Sequence, residues 1–345
     1  MTHINNFHLG YIDTLRADGH TVSVMARGEG ADYDIPFEKK LFSVKNTECR
    51  RRIREIVSRE GFDTIILNTT LAAFHTRLAL PRRSRPRVIN IVHGYLFSRN
   101  TGFIKRTLLS LCERLVAGKT DAIIVMNAED REIAEKMRLC RGKISSVDGV
   151  GVEVRDIITS PEKIKREYGE GKYSLLFVGE LSARKNQEFL IGAMPKIREK
   201  IPNANLWLVG DGAERDNLEA MAKRLGVSDA VTFFGKRTDA CDFMRACDLY
   251  VSAARIEGLP FNIVEALGCG RYTVISDIKG HRDVVNSTRV GTLYPEGDVT
   301  AFVEAVLWAH GEGLSGSSAS QERYEFYEKK RVFPQVLEAI RSELK

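Results

Sequence analysis

Short apolar runs alternate with amphipathic stretches along most of the chain, and this pattern predicts strands that alternate with helices. In the first half the predicted strands are residues 22–26, 64–67, 88–92, 122–126 and 144–147. The predicted helices are residues 10–18, 48–60, 71–80 and 102–117. This alternation is typical of a parallel sheet that is covered by helices on both faces.

A second series of the same kind follows a polar segment at residues 153–173, which we interpret as a linker containing a short helix that begins at Ser160-Pro161. Its predicted strands are residues 174–178, 205–209, 231–234, 249–252 and 272–276, and its predicted helices are residues 186–200, 214–225 and 240–247. A Gly/Ser-rich break at 311–320 precedes a last predicted helix at 321–345. We therefore predict an α/β protein with Rossmann-like domains at 1–155 and 156–320, followed by a C-terminal helix.

Length and composition agree with this organisation. A chain of 345 residues exceeds the size at which one core usually stops growing, and 43% hydrophobic with 28% charged residues is typical of a globular protein. The six cysteines lie far apart and no metal-ligand spacing is present, so neither a disulfide framework nor a metal is predicted. No apolar run reaches the length of a membrane span, and a cytoplasmic location is the expectation.

The net charge of +6 is unevenly distributed, since basic runs occupy residues 50–54 and 82–87. Either these runs are solvated faces, or they attract an anionic membrane surface or a phosphate-bearing acceptor. A nucleic-acid partner is not expected, because no aromatic residues are interleaved with the basic ones.

The segment 257–270 has the pattern of a binding site at a loop-to-helix junction. Gly258 and Pro260 interrupt regular structure after Glu257, and residues 261–267 have a helical pattern. The N-terminus of such a helix attracts phosphate. Glu265 would repel phosphate, so it is predicted to accept hydrogen bonds from ribose hydroxyls. A nucleotide is therefore the predicted ligand, and the alternative is that both glutamates are solvated surface residues.

Ligands of open parallel sheets bind beyond the carboxyl ends of the strands. Gly179 follows the strand at 174–178 and leads to Arg184 and Lys185 at a helix start, and Gly210 follows the strand at 205–209. We expect these loops and the Glu257 loop to converge on one nucleotide. Cations are unfavourable at a helix N-terminus unless an anion is bound, so Arg184 and Lys185 are predicted to contact the diphosphate.

In the first half, His93 directly follows the strand at 88–92. It is either a packing residue or a substrate contact that donates to a sugar hydroxyl or a developing negative charge.

Taken together, these segments resemble the family-4, GT-B glycosyltransferases of bacterial capsule and exopolysaccharide clusters. The matching segments, in order along the chain, are residues 92–95, 120–121 with 127–130, 149–152, 178–186, 210–212 and 257–270. The resemblance implies two Rossmann-like domains that face each other across a cleft, with a nucleotide-sugar donor on the C-terminal one. It also implies transfer with retention of configuration, no bound metal or cofactor, and a final helix that crosses back onto the N-terminal domain.

The resemblance also assigns roles by position. Glu257 would contact the donor sugar near its reacting end, Glu265 the ribose, and Arg184 with Lys185 the diphosphate. His93 would reach the donor sugar. The backbone amides of one short loop would also hold the diphosphate. This loop comprises Gly258, Leu259, Pro260, Phe261 and Asn262, and its N–H donors come from the residues other than proline.

This sequence departs from the family's pattern in two ways. Glu180 stands where many relatives have an arginine, and the chain begins where relatives have already completed a first strand, so the N-terminal domain is expected to lack that strand.

We predict a retaining, metal-independent hexosyltransferase that moves a sugar from a nucleoside-diphosphate donor, with UDP expected, to a saccharide or lipid-linked acceptor in cell-surface polysaccharide synthesis. Peripheral contact with the inner face of the plasma membrane is part of this prediction. The main alternative is an inactive nucleotide-sugar-binding partner of another transferase. A dehydrogenase is disfavoured because no G-x-G-x-x-G follows a strand, and a metal-dependent transferase because Asp32-Tyr33-Asp34 lies in a polar loop.

Overall fold

The computed structural model of the chain describes residues 8–38 and 43–344. These residues form two compact units, one comprising Met1–Gly151 with Lys329–Lys345 and the other Val152–Glu328. The boundaries expected from the sequence, at 155 and 320, lie a few residues from these.

The first unit contains a four-stranded parallel sheet in the order β3-β4-β5-β6 and a separate parallel pair, β1-β2. Its strands are β1 (Met25–Ala26), β2 (Tyr33–Asp34), β3 (Thr64–Leu67), β4 (Arg87–Val92), β5 (Ala122–Val125) and β6 (Ile144–Ser146). Its helices are α1 (Leu9–Ala17), α2 (Lys45–Glu60), α3 (Thr70–Ala79), α4 (Phe103–Ala117), α5 (Ala128–Met137) and α14 (Lys329–Arg341). The central strands β4 and β5 are almost entirely buried, which is why their sequences are continuous apolar runs.

The strand predicted at 22–26 is largely wrong, since only Met25–Ala26 is a strand and it pairs outside the main sheet. Asp32 accepts a hydrogen bond from the Val24 amide at 2.7 Å, and Asp34 accepts one from the Gly28 amide at 2.9 Å. These local bonds hold the loop and give the two aspartates a structural role. The expected absence of a first strand concerns residues 1–7, which lie outside the described residues.

The second unit contains a six-stranded parallel sheet in the order β12-β11-β10-β7-β8-β9. Its strands are β7 (Tyr173–Val178), β8 (Ala204–Val209), β9 (Val231–Gly235), β10 (Leu249–Ser252), β11 (Thr273–Ser276) and β12 (Gly291–Tyr294). Its helices are α6 (Pro161–Tyr168), α7 (Gln187–Lys200), α8 (Arg215–Arg224), α9 (Ala240–Ala246), α10 (Phe261–Gly268), α11 (His281–Val284), α12 (Val299–Gly311) and α13 (Ser318–Glu325). Separate apolar clusters, one around Phe177 and Leu208 and the other around Trp207 and Tyr250, bury alternate residues of the strands. The strand order reverses between β7 and β10, and this reversal is the switch point at which doubly wound sheets bind ligands.

Two interpretations from the sequence need correction. The segment interpreted as a linker belongs to the second unit, because α6 buries Ile164 in its core. The single last helix predicted at 321–345 is two helices, α13 and α14, and the chain passes from one unit to the other between them.

Helix α14 packs within the first unit. Phe333 stacks on Tyr11 with ring centroids 4.4 Å apart, and Arg341 forms an ion pair with Asp18 at 2.5 Å. Across the described ranges, no helix combines the length and the apolar character needed to cross a membrane.

Candidate functional site

The loops after β7 and β8 approach each other so closely that glycine is required at their first positions. Gly179 and Gly210 have φ values of +152° and +136°. A Cβ atom on Gly210 would lie 1.9 Å from the Gly179 carbonyl oxygen, well inside van der Waals contact. The two turns therefore pack backbone against backbone, and any side chain at Gly210 would separate them.

The loops after β7 and β10 meet in a buried ion-pair cluster. The Glu257 carboxylate lies 2.6 Å from the Lys185 ammonium and 2.9 Å from the Arg184 guanidinium. The Glu257 and Lys185 side chains are about nine-tenths buried, whereas the Arg184 side chain is 45% exposed. Because β7 and β10 are adjacent strands of the sheet, residues 72 or more positions apart in sequence come into direct contact.

The charge state of Glu257 is set by this cluster. Burial alone would raise the pKa of its carboxyl, but the adjacent charges of Lys185 and Arg184 outweigh burial and hold the pKa below its usual range. The carboxylate is therefore ionised at neutral pH and shares its charge between two cations.

Helix α10 begins directly after the Gly258-Leu259-Pro260 turn. Pro260 occupies the N-cap position, and in the described part of the chain no side-chain hydrogen bond caps this helix start. The side chains of Leu259 and Pro260 are buried, so the turn presents its backbone rather than these side chains. An uncapped helix start of this kind attracts anions.

Asn262 anchors the start of α10 to the sheet. Its side-chain amide donates to the Val178 carbonyl oxygen at 2.9 Å and to the Tyr250 hydroxyl at 2.8 Å. The side chain of this predicted donor-binding residue thus ties α10 to the ends of β7 and β10. Phe261, the first residue of α10, is half-buried against the core.

Glu265 is half-buried on the second turn of α10, and within residues 8–38 and 43–344 its carboxylate has no hydrogen bond or ion pair. Burial raises the pKa of this carboxyl to about 7, the nearby Cys241 sulfur adds to the increase, and Arg155 opposes it. A carboxylate that is shielded from water and has no hydrogen-bond partner destabilises the folded protein. Such groups are common at binding sites, where a ligand supplies the missing hydrogen-bond donors.

A cavity of about 610 Å³ opens at the carboxyl ends of β7, β8 and β9. Its lining residues are Val178, Gly179, Glu180, Val209, Gly210, Asp211, Gly212, Lys236, Arg237 and Ala240. Gly179 and Gly210 were predicted from the sequence, but Lys236 and Arg237 were not. Both of these follow β9 directly, so the same strand-end argument would have found them.

Arg237 and Lys236 differ in their contacts. Arg237 forms a two-bond ion pair with Asp239, both bonds at 2.7 Å, and its guanidinium lies over the Phe243 ring at 5.0 Å. Lys236 is exposed, and no ion pair or hydrogen bond to its ammonium is found among the described residues. Lys236 is thus the cation of this cavity that remains available to an anionic ligand.

His93 lies in the first unit, immediately after β4, whereas the other predicted site residues lie in the second. It is half-buried, and its ring packs edge-to-face against His8 with centroids 5.3 Å apart.

Comparison with known proteins identifies the class. The family model described as "Glycosyl transferases group 1" matches residues 160–329, and the one described as "Glycosyltransferase Family 4" matches residues 9–148. With a matching model on each unit, the chain belongs to the glycosyltransferases and has their two-domain GT-B fold.

Two relatives extend over most of the chain. EpsD of Bacillus subtilis, a protein named as a glycosyltransferase, is 27% identical and aligns with 88% of this chain and 84% of its own. An Escherichia coli enzyme named UDP-Gal:alpha-D-GlcNAc-diphosphoundecaprenol alpha-1,3-galactosyltransferase is 25% identical over 78% of this chain and 72% of its own.

Solved structures share the fold. HepE of Anabaena in complex with UDP-glucose has a TM-score of 0.69 at 19% identity, and covers 86% of this chain and 82% of its own. Sucrose-phosphate synthase of Thermosynechococcus elongatus has a TM-score of 0.76 at 18% identity, and covers 96% and 91%. The predicted fold of two Rossmann-like domains is confirmed.

Proposed function

We propose that this chain transfers a hexose from a UDP-sugar to a saccharide or lipid-linked acceptor, with retention of configuration, in cell-surface polysaccharide synthesis. The observation that carries the proposal is the cluster of Glu257 with Lys185 and Arg184 at the β7/β10 switch point. The relatives add support, because one is named for UDP-galactose as donor and another was solved with UDP-glucose.

The diphosphate would bind between the uncapped start of α10 and the two cations. Its negative charge grows as the sugar leaves, and preorganised donors then stabilise it more than they stabilise the bound substrate. When the donor binds, its diphosphate competes with Glu257 for Lys185 and Arg184. Glu257 therefore holds the two cations in place before the donor binds, and it faces the donor sugar afterwards. The protein's own charges would thus serve the leaving group without a divalent cation.

Glu265 would hold the ribose. Its carboxylate lies on the second turn of the helix that would meet the diphosphate, and ribose hydroxyls can supply the hydrogen bonds that the described protein residues do not. The base would occupy the cavity beside Gly179 and Gly210. His93 would contact the donor sugar as a hydrogen-bond donor.

In the transfer step, the bond between the anomeric carbon and the diphosphate oxygen breaks, and the electron pair leaves on the diphosphate. The acceptor hydroxyl oxygen forms the new bond on the same face of the sugar, and its proton passes to the departing phosphate oxygen. Glu257 stabilises the positive charge that develops on the sugar.

A panel of nucleotide sugars tests the proposal. Thermal stabilisation of the protein by UDP-sugars, followed by release of UDP when an acceptor is added, is the expected result. If no nucleoside-diphosphate sugar stabilises the protein, the proposed function is wrong. Nuclear magnetic resonance of the product's anomeric centre then decides between retention and inversion.

A further inference from the structure

Helix α4 in the first unit exposes large apolar side chains to solvent. The exposed fractions are 83% for Phe103, 84% for Ile104, 46% for Leu108, 63% for Leu111 and 63% for Leu115. Single exposed apolar residues are ordinary, but a contiguous group on one helix marks an interaction surface.

Four of these residues form one stripe along the helix. With about 100° between successive residues, Ile104, Leu108, Leu111 and Leu115 fall within about 60° of the helix circumference. The opposite face is buried, where Val116 packs in the core and Glu113 forms an ion pair with Arg77 at 3.0 Å. Because this buried pair fixes the rotation of α4, the apolar stripe points outward.

The stripe is bordered by positive charge. Lys105 and Arg114 are exposed, each about 60° beyond one edge of the stripe, and no ion pair or side-chain hydrogen bond to them is found in the portion of the chain that the structure describes. The acidic residue of α4, Glu113, is buried on the other face. The basic runs in the neighbouring sequence differ, since Arg51 pairs with Glu48 and Glu55, and Arg85 pairs with Asp121.

An apolar stripe with flanking cations is the pattern of a helix that lies in the interface of an anionic bilayer. A second copy of the chain fits this surface less well than an anionic bilayer does. In a dimer with two-fold symmetry, the cations beside the stripe of one copy would face the same cations of the other.

We propose that the outer face of α4 is a membrane-docking surface, on which Ile104, Leu108, Leu111 and Leu115 enter the headgroup region while Lys105 and Arg114 contact anionic lipid. This proposal deepens the proposed function, because it places the chain at the membrane, where a lipid-linked acceptor would be. Binding to the membrane does not itself require sugar transfer.

Co-sedimentation with vesicles tests this surface. The wild type should bind vesicles of phosphatidylcholine with phosphatidylglycerol more tightly than vesicles of phosphatidylcholine alone, and added salt should weaken the binding. Replacing two stripe residues (L108S/L111S) should weaken it at least about tenfold, given the cost of exposing a leucine. The matched control is I157S/I158S, which alters two side chains of the second unit that are 61% and 63% exposed and should leave binding unchanged.

A second pair of variants tests the charge. K105Q/R114Q should weaken binding to the anionic vesicles by roughly 25-fold, from about fivefold for each cation near the surface. Equal binding of the wild type to both vesicle types, or no binding, would overturn the proposal. So would a wild-type dimer in sedimentation velocity that L108S/L111S converts to a monomer, because the stripe would then be a protein interface.

Stabilisation by UDP separates this proposal from the proposed function. All four proteins should respond to UDP alike, which shows that the stripe variants are folded. If the wild type binds anionic vesicles but no UDP-sugar stabilises it, the docking surface stands and the transferase proposal fails.

Discussion

The carboxylate of Glu257 lies 2.6 Å from the ammonium of Lys185, and the two side chains are buried to nearly the same extent. The second cation, Arg184, reaches the same carboxylate from solvent. The site therefore contains its own counter-ion, and the diphosphate of the proposed donor would have to compete with Glu257 for Lys185.

We expect Lys185→Ala to lower the transfer rate by about 10²–10³, the range for loss of one preorganised electrostatic donor. Arg184→Ala should cost less, because its exposed guanidinium is screened by water. Initial rates at saturating acceptor provide the measurement. Lys196→Ala, which removes an exposed cation from α7, the helix that follows Lys185, is the control and should retain full activity. Equal losses for Lys185→Ala and Lys196→Ala would contradict the assignment.

Glu257→Gln should lower kcat while UDP binds at least as tightly as before. The amide cannot stabilise the positive charge developing on the sugar, but it no longer competes for the two cations. Calorimetric titration with UDP and steady-state kinetics separate the two effects. If the affinity for UDP fell in proportion to kcat, Glu257 would be an ordinary substrate contact.

Glu265→Ala should raise the donor KM strongly, because ribose hydroxyls lose a charged acceptor inside a desolvated site. The test compares UDP with 2′-deoxy-UDP. The wild type should prefer UDP, and the variant should bind the two alike. A variant that keeps the preference for UDP would rule out the ribose assignment.

Glu265→Gln should make the unliganded protein more stable at pH 8 than the wild type. The folded-state pKa of Glu265 is about 7, above the ordinary value of 4.5, so its contribution to stability is fully present below pH 4.5 and is lost as the pH rises through 7. The expected gain in the free energy of unfolding at pH 8 is on the order of 1–3 kcal/mol. Urea unfolding at pH 5 and pH 8 measures it, with the exposed Glu304→Gln as control. A gain at pH 8 no larger than that at pH 5 would be inconsistent with the raised pKa.

Transfer should persist in excess EDTA, because Lys185, Arg184 and the start of α10 can together stabilise the leaving diphosphate. UDP release is the measurement, with and without chelator. Loss of activity that magnesium or manganese restores would show that a metal carries this charge instead.

Most strands were predictable because their apolar runs are short and bounded by turn residues. Residues 64–67 and 249–252 form strands with the predicted bounds. Strand β12 was missed because it is short and begins with Gly291, and α12 because its apolar residues surround the helix and leave little amphipathic pattern. The break between α13 and α14 depends on a change of unit, which no local pattern encodes.

The candidate site also has features that were predictable from the sequence and features that were not. The strand-end rule located Gly179, Gly210 and the loop with Lys185, since these positions depend only on where a strand stops. The contact of Glu257 with Lys185 depends on β7 and β10 being neighbours, and this adjacency comes from the topology of the sheet. The relatives are named as transferases, so the alternative of an inactive binding partner is not favoured.

Asn262 gives the site a mechanical property. Because its amide joins α10 to Val178, the last residue of β7, the helix start and the strand that precedes the two cations are held in register. The helix start and the loop with the two cations therefore have a fixed relative position before any ligand binds. For the proposed donor, this would reduce the orientational entropy that is lost when its diphosphate binds. A shorter residue at position 262 would leave the helix start and the cation loop intact but would no longer hold them in a fixed relative position. Nucleotide sugars should then still bind but would seldom be aligned for reaction.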